Sequence, residues 1–314
     1  MAHLIETMAY ANATPWHGLG NRLSPNQPIE VWAQQAGMDW SIKQSPVYFH
    51  SQEKTSVLYS DHKVLFRSDT EQPLSVVSSR YQVVQPREIL EFYRDITEAG
   101  GFTLETAGVL KGGRKVWALA KTNQSATLKR KDVVNGYLLL ATACDGTLAT
   151  TAQFTSVRVV CNNTLAVALA NGAGAVKVPH STSFNPQAVK KQLDISVSGW
   201  DSFIYRMKTL SERKVTHQEA EHYVQDLFAE MTSSAALPND RAMKKILDLF
   251  QGNGRGAELA SAKGTAYGLL NAVTEFVDHE RRTRSADHRL DSAWFGAGAT
   301  LKQKSLDQAL SLVR

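Results

Sequence analysis

The chain has 314 residues, of which 43% are apolar and 21% are charged, with a net charge of +5 and a pI near 9.1. This composition is typical of a globular protein and excludes wholesale disorder. No apolar run approaches the roughly 20 residues that span a bilayer, and the first ten residues lack the pattern of a secretory signal. The only cysteines, Cys144 and Cys161, are too few for a disulfide scaffold. We therefore expect a cytoplasmic protein with no membrane partner.

The first part of the chain reads as short strands between two helices. Pro28 begins a predicted helix that Gly37 ends. Pro86 begins a second helix, and Gly100-Gly101 ends it. Between them, β-branched or aromatic runs predict strands at 47–49, 57–59, 63–67 and 74–77.

A second group of strands follows the helix that begins at Pro86. The strands are predicted at 102–107, 115–120, 133–144 and 147–154. Lys111-Gly112-Gly113-Arg114 and Asp145-Gly146 predict hairpin turns between them. A helix is then predicted over 164–170, with Asn162 or Asn163 as its cap. The order is therefore helix, antiparallel meander of about four strands, helix.

After Pro179 the spacing of the apolar residues is helical. Helices are predicted over 186–211, 216–232, 239–251 and 265–280. The chain is therefore predicted to be α+β, with an antiparallel β-meander packed with helices in its N-terminal half and a helical C-terminal half. We divide it into an α+β domain over 1–178 and a mainly helical region over 179–314.

No pattern of catalytic or metal-binding residues stands out. The glycine-rich run at 251–256 and the following Lys263-Gly264-Thr265 lack the order of a phosphate loop, so an inter-helix loop is the better interpretation. The histidines are scattered, without Cys-x-x-Cys or His-Glu-x-x-His spacing. Cys144 and Cys161 are interpreted as structural, since cysteine is among the most buried residue types. We expect no enzyme activity, no cofactor and no metal.

Basic residues are the most informative chemical feature. The segment 101–135 carries the same net charge, +5, as the whole chain. Its cations fall on predicted turns and strand ends, so they are expected to gather along one rim of a sheet, where they suit a phosphate backbone. The alternative is a set of solvated turns. The candidate phosphate ligands are Lys111, Arg114, Lys115, Lys129, Arg130 and Lys131. A further cluster, Arg281-Arg282-Thr283-Arg284, is either the basic end of a helix or a second phosphate contact.

Two aromatic residues and one arginine have two interpretations each. Trp117 or Tyr137 would stack on bases in a nucleic-acid complex, or they belong to the core. Arg158 interrupts an apolar stretch, so it either pairs with a buried carboxylate or carbonyl, or lines a groove and meets phosphate. The neighbouring Val157, Val159 and Val160 predict burial, which favours the structural interpretation of Arg158 slightly.

Several segments together resemble one known family. They are 14–20, 145–147, 157–165 and 264–279, and the run Arg158-Val159-Val160-Cys161-Asn162-Asn163-Thr164 is the most specific of them. These segments look like the phage/plasmid-like proteins, a family of mobile elements defined by a domain of unknown function. The resemblance covers nearly the whole chain. It implies a phage or plasmid context, and it implies no catalytic residues.

A second resemblance concerns topology alone. The order helix, meander, helix over 86–170 is similar to that of the ring-forming single-strand annealing proteins of the Rad and Erf types. In those proteins a basic groove between sheet and helix holds single-stranded DNA around an oligomeric ring. The predicted helix 164–170 departs from them, because it lacks the basic residues usual there.

Three functions follow in order of preference. The first is a phage or plasmid nucleic-acid-binding protein that binds or anneals single-stranded DNA in recombination and forms a homo-oligomer. Its contacts are the six candidate ligands above, Trp117 and Arg158. The second is a non-enzymatic interaction protein, a scaffold or an inhibitor of host defence with a phage or host protein as partner. A hydrolase or nuclease is the third, since no paired carboxylates with a nearby base stand out.

Overall fold

The structure is a computed structural model that describes most of the chain. The described residues are 5–11, 20–99, 102–160, 163–167, 175–193, 197–229, 240–284 and 286–313. The protein is α+β, and strands dominate its N-terminal half and helices its C-terminal half. The predicted fold class is confirmed.

The first elements follow the predicted order, except that two strands that were not predicted precede the first helix. They are β1 (Ile5–Ala11), β2 (Asn21–Leu23), α1 (Ile29–Gln35), β3 (Ile42–His50), β4 (Ser56–Arg67), β5 (Pro73–Ser78) and α2 (Pro86–Ala99). The predicted start and stop of α1 are confirmed, because Pro28 is its N-cap and Gly37 has a φ of +67°. The strands predicted at 57–59 and 63–67 are one continuous strand, β4.

The predicted meander is present, and its last helix is not. The strands are β6 (Thr103–Leu110), β7 (Lys115–Leu128), β8 (Asp132–Ala143), β9 (Thr150–Arg158), β10 (Asn163–Ala166) and β11 (Val176–Val178). The helix predicted over 164–170 is therefore wrong over its described residues, because Thr164 to Ala166 pair antiparallel with β9. Residues 168–170, and Asn162, lie outside the described residues.

The helical part begins after β11. Its helices are α3 (Pro186–Leu193), α4 (Val197–Glu212), α5 (His217–Ala229), α6 (Asp240–Asp248), α7 (Ala266–Glu275), α8 (Ala286–Phe295) and α9 (Ala297–Ser311). The described parts of the helix predicted over 186–211 are α3 and α4, and residues 194–196 lie outside the described residues. The helix predicted over 265–280 is confirmed as α7 followed by a π-helical turn, Phe276–Glu280.

The described strands form two sheets. The larger sheet has the order β10-β9-β8-β7-β6-β1-β2, with β11 also paired to β9, and the smaller has the order β3-β4-β5. In the larger sheet β1 and β2 are parallel, whereas β6 pairs antiparallel with both β1 and β7. The hairpin predicted at Lys111–Arg114 is therefore confirmed.

Contacts divide the chain into two compact units. The first unit contains 1–123, 137–154 and 173–194, and the second contains 124–136, 155–172 and 195–314. Strands β7, β8 and β9 each contribute residues to both units. The predicted boundary at residue 178 follows the change in element type along the sequence, and it stays a prediction.

Each unit has a core built on one helix. In the first unit, Ile89, Leu90 and Phe92 of α2 are buried, and the buried Tyr93 hydroxyl lies 2.9 Å from the Ala118 carbonyl oxygen. In the second unit, every residue of α7 is buried. Helix α7 contacts α4, α6, α9 and β10. Among the described residues, no helix is long and apolar enough to span a membrane.

Candidate interaction surfaces

The thiol of Cys144 is not an activated nucleophile. Its side chain is buried in the first unit, and burial, with the nearby Asp145 carboxylate, raises its pKa to about 12. A thiol with this pKa stays protonated at neutral pH, whereas a reactive cysteine needs the thiolate. Cys161 lies outside the described residues. Within the described ranges, no three histidine, cysteine or acidic side chains are grouped as a metal site requires.

The first basic turn presents only some of its predicted ligands to solvent. Arg114 is exposed and Lys111 is half-buried, whereas Lys115 is buried with 3% of its surface exposed. Trp117 is also buried, at 2%. A phosphate group reaches only an exposed cation, so Lys111 and Arg114 are the available ligands here.

The second basic turn presents all three of its predicted ligands to solvent. Lys129, Arg130 and Lys131 are exposed in the turn between β7 and β8. The Lys131 amide donates to the Leu128 carbonyl oxygen over 3.3 Å and closes the turn. Lys129 also lies 3.6 Å from the carboxylate of Glu212, but both side chains are largely exposed, and such pairs contribute little. The turn is therefore a compact cationic site.

The structure does not bring all the predicted basic ligands together. The turn at Lys111–Arg114 precedes strand β7 and the turn at Lys129–Lys131 follows it. The first turn belongs to the first unit and the second turn to the second unit, so each is described as a basic site of its own.

Tyr137 and Arg158 both lie inside the protein. The Tyr137 hydroxyl donates to Glu105 Oε2 over 2.9 Å, and the residue is 7% exposed. Arg158 forms an ion pair with Asp132, whose side chain is 1% exposed, against 4% for that of Arg158. This geometry agrees with the structural interpretation of Arg158, because its guanidinium is paired with the buried carboxylate of Asp132.

The glycine-rich loop completes the surroundings of this ion pair in the second unit. Arg158 Nη2 donates to the Gly256 carbonyl oxygen over 3.0 Å, and the guanidinium carbon lies 5.4 Å from the centre of the Tyr267 ring. The Ser261 hydroxyl donates to Asp132 Oδ2 over 2.6 Å. The loop at 251–256 is thus a structural partner of Arg158.

Two segments that carry the family resemblance pack against each other in the second unit. Asn163 Nδ2 donates to the Asn271 carbonyl oxygen over 3.2 Å. The Thr164 amide donates to Asp278 Oδ2 over 2.7 Å, and Lys302 Nζ donates to Asp278 Oδ1 over 2.8 Å. All of these residues except Thr164 are buried. These two segments therefore contribute to a polar core of the second unit.

A cleft of about 500 Å³ lies in the first unit. Trp32 and Phe102 contribute apolar surface to it, and Glu30 and Arg94 contribute charge. Arg94 Nη2 and Glu30 Oε1 lie 3.0 Å apart, so these charges neutralise each other. The cleft offers no clear charge to an ionic ligand.

A surface that sequence reasoning missed lies on the smaller sheet. Strands β3 and β4 expose Tyr48 by 59%, Phe49 by 51% and Leu58 by 53%. Val57 and Tyr59 are also exposed. The β-branched and aromatic runs predicted these strands, but apolar strand residues are usually buried, so the runs gave no signal of exposure. Exposed apolar patches are a mark of interaction sites.

These features define an α+β protein that exposes two basic turns and several apolar strand residues. The model of the family described as "Domain of unknown function (DUF932)" matches residues 73–294. This match covers more than half of the chain, so the chain belongs to that family. Comparison with curated proteins and comparison with solved structures found no match.

Proposed function

We propose that this chain is a non-enzymatic nucleic-acid-binding protein of a phage or plasmid, working in the cytoplasm as a homo-oligomer. The phage or plasmid context rests on the sequence resemblance described above. The single observation that carries nucleic-acid binding is the exposed turn of Lys129, Arg130 and Lys131. Three adjacent exposed cations on one tight turn can neutralise backbone phosphates and release their counterions.

The backbone of this turn supports a role beyond chain reversal. Lys129 and Arg130 have φ angles of +42° and +74°, a region that glycine and asparagine adopt at much lower cost. For other residues this conformation costs roughly 1–2 kcal/mol each. Hairpin turns with two such residues strongly prefer Asn-Gly or Asp-Gly. Two long cations in place of that pair favour a functional use of their charge.

The contact set is smaller than the one drawn from sequence. Lys115, Trp117, Tyr137 and Arg158 are buried, so we leave them out of the interface. Lys129, Arg130 and Lys131 form the primary contact, and Lys111 with Arg114 forms a second. No base-stacking residue is assigned, so recognition would be through phosphate and independent of sequence.

The preference for single strands comes from topology and not from the basic turn. It rests on the resemblance to annealing proteins, and the helix that would close their groove is a strand here, β10. Backbone phosphates are common to single and double strands. The two forms are therefore compared directly in the test.

Protein binding is the second candidate function. The exposed apolar residues of β3 and β4 favour it, since aromatic side chains are enriched in protein interfaces. A scaffold or an inhibitor of host defence would use such a surface on a phage or host protein.

The test is a binding titration with labelled single-stranded and double-stranded DNA at two salt concentrations, with the mass of the protein measured in parallel. We expect affinity that falls steeply as salt rises, because bound phosphates release counterions. The absence of binding to either form at low salt would contradict the proposal and leave the protein-binding candidate.

A further inference from the structure

The exposed apolar patch is a two-stranded ribbon, here called the β-ribbon and defined as 47–50 of β3 with 56–60 of β4. In its register Val47 faces Tyr59, Tyr48 faces Leu58, and Phe49 faces Val57. Directly opposite residues of two strands point to the same side. One side of the β-ribbon therefore carries Phe49, Val57 and Tyr59, and the other carries Tyr48 and Leu58. Apolar side chains are exposed on both sides.

Both edges of the β-ribbon are open within the described residues, and only the one on β3 is flanked by a proline. Strand β5 pairs with β4 from His62 onward, and the Ser79 amide donates to the Asp61 carbonyl oxygen. Before that point, within the part of the chain that the structure describes, β4 has no strand partner at Ser56–Ser60 on the side away from β3. An open edge of this kind presents backbone donors and acceptors to another strand. The outer edge of β3 differs, because it contains Pro46, which lacks a donor.

The charge of the β-ribbon does not match a nucleic acid. Its tip carries Glu53 and Lys54, whose charges cancel, and residues 47–60 contain no other acidic residue, lysine or arginine. Nucleic-acid affinity depends on excess positive charge. A neutral, aromatic strand edge suits another protein strand better.

The sequence of the open edge on β4 is symmetrical about its middle residue. It reads Ser56-Val57-Leu58-Tyr59-Ser60, so an antiparallel copy would place Leu58 opposite Leu58, Val57 opposite Tyr59, and Ser56 opposite Ser60. Each apolar residue then meets an apolar one and each serine meets a serine. A two-fold interface requires this kind of self-complementary surface.

We propose that two copies of this chain associate by antiparallel pairing of Ser56–Ser60, with the two-fold axis at Leu58. The pairing joins two β-ribbons into one four-stranded sheet. On one side it brings the two Leu58 side chains together between the two Tyr48 side chains. On the other it continues the row of Phe49 and Val57 with Tyr59 of the second copy. This inference rests on the homo-oligomer of the proposed function and gives it an interface, and it uses residues separate from the basic turn.

The size of the contact sets the expected strength. Aromatic side chains have roughly 150–250 Å² to bury, so five partly exposed side chains offer roughly 450 Å² per copy. Both copies together stay near or below the roughly 1,200 Å² lower limit of standard stable interfaces. We therefore expect a weak dimer whose population increases with protein concentration.

The experiment measures mass by sedimentation equilibrium over a concentration series. The unchanged chain is compared with Leu58→Asp and Leu58→Lys, each of which places two like charges at the axis. Both changes fall at an exposed position, so folding is expected to survive, and a melting curve checks this. Val76→Asp is the matched control, because Val76 is 60% exposed and lies on β5, outside the β-ribbon.

The decisive sample is an equimolar mixture of the Leu58→Asp and Leu58→Lys chains. We expect each variant alone to be monomeric, the mixture to form a dimer, and the Val76→Asp chain to associate like the unchanged protein. A monomeric unchanged protein at its highest soluble concentration would overturn the proposal. So would a mixture that stays monomeric, because pairing centred on Leu58 brings the opposite charges together.

The same variants separate this inference from the proposed function. We expect Leu58→Asp to leave the affinity of the monomer for DNA within about twofold of the unchanged chain. If the Leu58 variants weaken DNA binding and leave the mass unchanged, nucleic acid and not a second copy occupies the β-ribbon. If substitution of the basic turn abolishes DNA binding and leaves the mass unchanged, the dimer proposal stands independently of nucleic-acid binding.

Discussion

Arg158 and Asp132 form a bidentate ion pair inside the second unit. Arg158 Nε donates to Asp132 Oδ1 over 2.8 Å, and Nη2 donates to Oδ2 over 2.7 Å. The two side chains are 4% and 1% exposed. Each charge depends on the other, because a buried charge without a partner is costly. The pair joins the end of β9 to the start of β8.

We expect Arg158→Lys to lower stability. Lysine keeps the charge but loses the planar fork that contacts both carboxylate oxygens, and part of the Asp132 charge is left unsatisfied. The expected loss is about 2–3 kcal/mol, below the roughly 3–5 kcal/mol for complete removal of one partner. Urea denaturation measures it, and DNA affinity of the folded variant should not change. Unchanged stability with weaker DNA binding would instead place Arg158 in a phosphate groove.

A double variant separates the ion pair from simple packing. Asp132→Leu with Arg158→Met removes both charges at similar volume, so no buried charge is left alone. Such exchanges are often neutral or stabilising, and we expect the double variant to be more stable than Asp132→Leu alone. A double variant that is less stable than the single one would show that Arg158 has another essential role.

Gly268 in α7 is required by a close backbone contact. A Cβ at this position would lie 1.9 Å from the Ala262 carbonyl oxygen. We therefore expect Gly268→Ala to destabilise the protein by at least about 2 kcal/mol, against the roughly 1 kcal/mol that alanine normally gains over glycine in a helix.

Gly112→Ala is the matched control for Gly268→Ala, because nothing lies within 4 Å of a Cβ there. Its positive φ alone should cost roughly 1 kcal/mol. Thermal unfolding compares the two variants. Equal losses in both would show that the contact with Ala262 does not matter.

The sequence predicted most elements because their apolar spacing is regular. The prediction was wrong at β10. Residues Asn163 to Ala166 follow an apolar stretch and come before Gly172, and a helix that ends at a glycine has the same pattern. The choice of strand depends on partners distant in sequence. Thr164 pairs with Val157 of β9 and bonds to Asp278 of the π-helical turn after α7. The spacing of apolar residues along the sequence gives no information about these contacts.

The candidate site was predictable only in part for the same reason. A cation in a turn is exposed by default, and Lys129 to Lys131 are exposed. Lys115 begins a strand whose residues 115–120 are buried on both faces, so alternation does not mark an outward side chain there. Tyr48 and Leu58 show the opposite case, since apolar residues normally indicate burial and here they are exposed.

Glu219 should stabilise the protein in a way that depends on pH. The Arg213 guanidinium, and then the Thr216 amide and hydroxyl, donate to this carboxylate and lower its pKa from 4.5 to about 2. A carboxylate whose pKa is lower in the folded than in the unfolded protein adds stability at a pH above its unfolded pKa. That stability is lost as the pH falls through its folded pKa. For Glu219 the loss falls between about pH 4.5 and pH 2.

We expect Glu219→Gln to be less stable than the unchanged protein at pH 6, and the difference to shrink as the pH approaches 2. Urea denaturation at pH 6, 4 and 2.5 measures this. The effect should be modest and should weaken in high salt, because the carboxylate is exposed to solvent. A difference that is the same at every pH would mean that the charge of Glu219 is not what stabilises the start of α5.

The most direct test of nucleic-acid binding is the salt dependence of affinity when the basic turn is removed. The variant combines Lys129→Ala, Arg130→Ala and Lys131→Ala, and its control combines Lys43→Ala, Lys191→Ala and Lys244→Ala, which remove the same charge from exposed positions elsewhere. Each phosphate contact with single-stranded DNA contributes about 0.7 to the log–log slope. We predict that the turn variant loses about two units of slope while the control keeps the slope of the unchanged protein. An equal slope in all three proteins would contradict the account.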